Sequence, residues 1–157
     1  MILNKLMVGI FLVVIVASCA TKPKIEYDYW RFENGDSTVR LSMETVNETV
    51  HGYCMKYYKN GQLLSKVRYE NDKPMDIICV YDSLGNPLNY GHLKNGNGCV
   101  ISYSDKYGTP QYSGCYVDGE REGWWKSYTF KGEFVDSFFC VKGDCKETTS
   151  LFRYVLY

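Results

Sequence analysis

Histidine and proline are scarce in this chain, with two and four among 157 residues, and neither sign of charge is in excess, 18 basic side chains facing 18 acidic ones. Zero formal charge supplies no basic field for a polyanion, so a nucleic-acid partner is set aside. His51 and His92 lie in no nucleophile or metal-binding motif, and Gly-x-Ser-x-Gly, His-Glu-x-x-His and phosphate-binding glycine loops are missing. No catalytic, metal-ligating or cofactor-binding residue is therefore assigned, and the chain is not read as an enzyme. Helix signals are weak throughout, and only four prolines suit a chain of many short strands joined by tight turns.

What is abundant is aromatic residues and glycine. Fifteen tyrosines and fourteen glycines suit many short strands joined by tight turns. The glycines are regularly placed: Gly61, Gly85, Gly108 and Gly132 stand 24, 23 and 24 residues apart, and second turns at Asp72, Gly96, Gly119 and Gly143 keep the same intervals. This is an internal repeat of a strand, a glycine turn, a second strand and a polar turn.

The first copy sets strands at Tyr53 to Tyr58 and Leu63 to Tyr69. The first strands of the following copies are Ile77 to Tyr81, Val100 to Tyr103 and Trp124 to Tyr128; their second strands are Pro87 to Leu93, Gln111 to Val117 and Phe134 to Cys140. Copy three carries one extra residue between Tyr103 and Gly108, to be absorbed by a bulge or a longer loop. Aligning the copies produces three columns: Cys54, Ile78, Val100 and Trp125; Tyr57, Tyr81, Tyr103 and Tyr128; and Tyr69, Leu93, Tyr116 and Cys140. Such columns read as cross-strand ladders on a sheet face. Ahead of them, Tyr27 to Glu44 reads as an opening hairpin around Asn34-Gly35, with Val46 to His51 leading into the repeats.

The N-terminus has a different character. Lys5 precedes an apolar run from Met7 to Ala17 that is short for a membrane span, the pattern of an export signal. Its end, Val16-Ala17-Ser18-Cys19, resembles the lipobox of bacterial lipoproteins. That resemblance implies cleavage before Cys19 and lipid attachment to it, with acyl chains anchoring the protein stably. Ala20 stands where an inner-membrane retention signal has Asp, and no acidic run follows Cys19, so the resemblance points to the outer membrane, facing the periplasm. Loss of residues 1–18 removes Lys5 and leaves 17 basic against 18 acidic side chains.

Within the repeats, Gly52-x-x-x-x-Tyr57-Tyr58-x-Asn60-Gly61 followed by Tyr69-x-Asn71-Asp72, and again Gly123-Trp124-Trp125-x-x-Tyr128-x-x-x-Gly132, resemble the variant MORN-type repeat of bacterial secreted and antitoxin-like proteins. The resemblance covers about residues 52–145 and implies repeated β-hairpins. Copy two departs from it, with Met75-Asp76 where a glycine is expected. An immunity or antitoxin-like role, neutralising a partner toxin, is the alternative function it implies.

Six cysteines remain beyond Cys19. Cys54 and Cys79, like Cys115 and Cys140, fall on equivalent strands of successive copies. Such strands are separated by another strand, roughly 9.5 Å apart, which is beyond disulfide reach. Cys140 and Cys145 flank one turn, where a cross-hairpin disulfide, two free thiols or a two-cysteine metal site are the alternatives. The other four are expected to be buried thiols acting as small hydrophobes. A Cys115–His92 pair falls in one column but two strands apart.

The expected fold is all-β, an antiparallel meander of repeated hairpins forming one elongated twisted sheet. Its parts are a signal peptide (1–18), a lipidated tether (19–24), a capping hairpin (25–51), four repeats (52–146, divided at about 75, 98 and 122) and a C-terminal capping strand (147–157). A single sheet leaves one face without cover, so exposed aromatics are expected to form a binding face. The candidates are Tyr107, Tyr112, Trp124 and Phe130. The expected function is a non-catalytic binding or scaffold module that holds an envelope protein or glycan.

Overall fold

The computed structural model describes residues 22–147. Cys19 and the strand expected at Leu151 to Tyr157 lie outside the described residues. The described chain is all-β, with ten strands: β1 (Lys24–Arg31), β2 (Ser37–Val46), β3 (Thr49–Tyr57), β4 (Leu63–Glu70), β5 (Lys73–Val80), β6 (Gly98–Tyr103), β7 (Pro110–Val117), β8 (Glu120–Tyr128), β9 (Phe134–Val141) and β10 (Asp144–Glu147). They form two antiparallel five-stranded meanders, β1-β2-β3-β4-β5 and β10-β9-β8-β7-β6, and the sheets do not close into a barrel.

Turn chemistry explains the meander. Along one side, loops such as Tyr58 to Gln62 and Thr129 to Glu133 close with one backbone bond across the whole loop and a second from the glycine N–H, which sits at positive φ. This is a type I turn followed by a left-handed glycine. Along the other side both central residues have positive φ: Asn47-Glu48, Asn71-Asp72, Asn95-Gly96, Asp118-Gly119 and Lys142-Gly143. These are type I′ turns, whose twist matches that of the strands they join. Asn, Asp and Gly tolerate the left-handed region, whereas Glu48 and Lys142 hold it without that advantage. The expected passage from Val46 to His51 is thus itself a tight turn, with β3 beginning at Thr49.

The expected single sheet is corrected at copy two. Pro87 to Leu93 is no regular strand but makes isolated bridges, Tyr81 with Pro87 and Gly91 with Val100. It still links the sheets, since Leu88 N–H donates to Val80 on β5 and Ile101 N–H on β6 donates to Tyr90. Three local features break the ladder. Pro87 has no N–H to donate. The Asn89 side chain takes the Gly91 N–H at 3.1 Å. At Gly91 the chain passes so close to β6 that a Cβ there would lie 2.2 Å from the Cys99 carbonyl oxygen.

The core lies on one face of the sheets and in two parts. Tyr58, Leu64 and Val80 form one cluster, while Leu93, Val100, Trp125 and Cys140 form the other, and Ile77 packs against both. The third column is therefore an inner-face ladder. The first column is corrected at Ile78. A bulge in β5, where Lys66 pairs with Cys79 but Val67 with Ile77, turns Ile78 outward and Ile77 inward. Trp125 is 1% exposed and lies over Gly114, where a Cβ would come within 2.3 Å of the indole. Its Nε1–H donates to the Cys115 carbonyl at 3.1 Å, and Tyr116 meets the ring edge-on at 5.0 Å.

Two disulfides staple the second sheet. Cys140 and Cys145 are bonded across the last turn, on the inner face. Cys99 and Cys115 are also bonded, which corrects the expectation that both are free thiols. They sit on the two strands of one hairpin, directly opposite in register, where side chains come within bonding reach. Equivalent strands of successive copies are too far apart, but the two strands within a copy are not. Cys54 and Cys79 carry free thiols.

Candidate functional site

The loop of copy three is one residue longer than its counterparts. Ser104 N–H reaches the Thr109 carbonyl at 2.9 Å, a closure five residues on, where Thr129 closes on Glu133 four residues on. Ser104 Oγ accepts the backbone N–H groups of Lys106 and Tyr107, both at 3.3 Å. In the next copy Thr129 Oγ1 does the same for Lys131 and Glu133. The two loops are tied together by Thr109 Oγ1, which donates to the Phe130 carbonyl at 2.9 Å.

That tie places two aromatic rings side by side at the surface. Tyr107 and Phe130 have centroids 5.4 Å apart with planes inclined at 45°. They are 51% and 60% exposed, so the pair is a surface feature and not part of the core. The Lys106 ammonium lies 4.9 Å from the Tyr107 centroid and the Lys131 ammonium 5.8 Å from that of Phe130. Beside the rings is an open notch of about 130 Å³, bounded also by Ser104, Thr109, Gln111, Tyr128 and Thr129. Rings, hydroxyls and an amide suit recognition.

The four aromatics expected on one binding face divide three ways. Tyr107 and Phe130 come together. Tyr112 packs against the inner cluster, with the Arg121 guanidinium 5.7 Å from its ring centroid, and is corrected from a surface residue to a half-buried one. Trp124 faces the outer side of β8, 57% exposed, with Phe139 edge-on at 5.3 Å. Val135 and Val141 on β9 are exposed beside Phe139. Phe139 is the register partner of Trp124, and its exposure together with Val141 was open to a reading of the sequence, because the two share one parity along the strand.

A second cavity, about 120 Å³, lies on the inner face where the sheets meet, bounded by Leu64, Val67, Tyr69, Ile77, Leu93 and Val100, with Cys54 at its wall. Burial pushes the Cys54 thiol and the Tyr69 phenol upward from their ordinary values. Both stay protonated at neutral pH, so Cys54 is a packing residue and not a thiolate nucleophile. Cys115 is consumed by its disulfide, which removes the Cys115–His92 pair.

The densest charge cluster stitches the same junction. Asp76, 4% exposed, accepts Arg68 Nε at 2.6 Å and the Asn95 N–H at 3.0 Å, with Lys94 Nζ at 3.4 Å. Arg68 also pairs with Glu70. The Asn95 N–H first, and then Arg68, hold the Asp76 carboxyl below the usual carboxylate range. Every charge here is answered within the cluster, which gives it a structural role.

Comparison of the chain with protein-family models, with curated proteins and with solved structures finds no match.

Proposed function

We propose that this protein is a non-catalytic binding module of the bacterial cell envelope, held to the membrane through lipid on Cys19 and binding its partner with the Tyr107–Phe130 surface. The observation that carries the reading is the exposure of that aromatic pair on two mutually braced loops. Large rings left in water by a fold that buries few side chains elsewhere mark a surface meant to be covered. Bracing matters as well, because a preorganised surface loses less freedom on binding. The lipobox-like run before Cys19 supports the location.

The test is capture from detergent-solubilised membranes by tagged full-length protein. The wild type is expected to retain an envelope component that Tyr107→Ala/Phe130→Ala releases, and fatty-acid labelling is expected to be lost in Cys19→Ala. Absence of any retained component, or retention unchanged by the double substitution, contradicts the proposal.

A further inference from the structure

We infer that the notch beside Tyr107 and Phe130 is a binding site for an acidic saccharide, an assignment that rests on the binding reading above and names the ligand class of the same site. A pyranose ring has a face of C–H groups and a rim of hydroxyls. The first is covered by an exposed aromatic ring, and the second needs donors and acceptors set around it.

The loops supply both kinds of hydrogen-bonding group. Ser104 Oγ and Thr129 Oγ1 each accept two backbone N–H groups, so the proton of each hydroxyl is left to donate. Thr109 Oγ1 donates to the Phe130 carbonyl, and its lone pairs are left to accept. Gln111 is exposed and adds an amide that bonds no other described residue. A vicinal diol offers a donor and an acceptor on each oxygen, which matches this mixture. An apolar peptide segment would leave these groups without partners, at a cost for each.

Charge narrows the class. The Lys106 and Lys131 ammoniums flank the ring pair, and neither is paired with a carboxylate among the described residues. Two cations that lie over the rings with no carboxylate partner among the described residues disfavour a cationic ligand and favour carboxylates carried on the sugar. Asp105, the nearest acid in the loop sequence, is turned away and held by Arg40 Nε at 2.9 Å.

The experiment titrates full-length protein in detergent with tetragalacturonate and, separately, with neutral maltotetraose. Saturable binding of tetragalacturonate, at least about tenfold tighter than maltotetraose, is expected. Lys106→Gln/Lys131→Gln is expected to weaken it by about fivefold and flatten its salt dependence, in line with two exposed charge contacts. Tyr107→Ala/Phe130→Ala, two surface truncations whose fold is checked by circular dichroism, is expected to abolish it. Equal affinity for both sugars, or tetragalacturonate binding that survives the aromatic double variant, overturns the assignment. So does the absence of saccharide binding while an envelope protein is retained through Tyr107 and Phe130, an outcome that leaves the binding reading standing. If neither sugar nor envelope component binds, both fall.

Discussion

The two sheets are built from the same hairpin and held by different forces. The first sheet, β1 to β5, has the two free thiols among the described residues, a small cluster around Leu64 and the Arg68–Asp76–Lys94 ion cluster at its border. The second, β6 to β10, has both disulfides, the indole of Trp125 laid on Gly114, and the Tyr107–Phe130 and Trp124–Phe139 pairs, whereas the first exposes Tyr27 and Tyr29 on β1. Turn chemistry sets the shared architecture, and it leaves open what stabilises each part. The sheet with the proposed binding surface is the one with covalent staples. Charges take that part in the first sheet, which makes it the half that responds to pH.

Substitutions that act on one half alone sharpen this contrast. The largest effect is expected at Trp125, where Trp125→Ala removes the most buried large side chain and costs about 3–5 kcal/mol in urea denaturation. Gly114→Ala forces the same indole off the sheet and costs about 1–3 kcal/mol. Next is Cys99→Ser/Cys115→Ser, which opens a loop of sequence separation 16 and lowers stability by about 3 kcal/mol, read as a shift of the urea midpoint. A reductant, which opens both disulfides, should lower stability by at least as much, whereas Cys54→Ser/Cys79→Ser should leave the response to reductant unchanged.

Acid tests the other half. Asp76 has a folded pKa below its ordinary 3.8, so its contribution is present above that value and is lost as pH falls through the lower folded value. Thermal melting is expected to fall in that acid window. Asp76→Asn should flatten the fall and cost about 1–2 kcal/mol at neutral pH, because Arg68 and Lys94 lose their charged acceptor. The smallest effect is at Glu48, whose φ of 66° suits glycine better. Glu48→Gly is expected to raise stability by up to about 1 kcal/mol, measured by urea midpoint.

Much of the architecture was legible because turns write themselves into sequence. Gly35, Gly61, Asn71-Asp72 and Asp118-Gly119 are residues suited to positive φ, and they mark where the strands end. The third column was legible for a related reason: regular turns keep register, and register keeps Leu93, Tyr116 and Cys140 on one face. The break at Pro87 to Leu93 was harder to read. Periodicity averaged over copies hides a copy whose local chemistry differs, although Pro87 and Gly91 were its visible signs. Ile78 was misplaced by one residue because a bulge has no signature of its own in a run such as Ile77-Ile78-Cys79. The Cys99–Cys115 bond had a signal that column comparison does not use: both cysteines stand eight residues from Tyr107, at the centre of their shared hairpin loop. At the candidate site, Tyr107 and Phe130 were recognisable as surplus aromatics. Their meeting depends on the extra loop residue and the Thr109 tie, which no single copy contains.

The most direct test of the binding account is capture of the envelope component by three forms of the full-length protein: wild type, Tyr107→Ala/Phe130→Ala, and Trp124→Ala/Phe139→Ala. The account predicts capture by the first and third and loss in the second. Loss in the third with retention in the second would contradict it, by moving the binding surface from the braced loops to the outer face of β8 and β9.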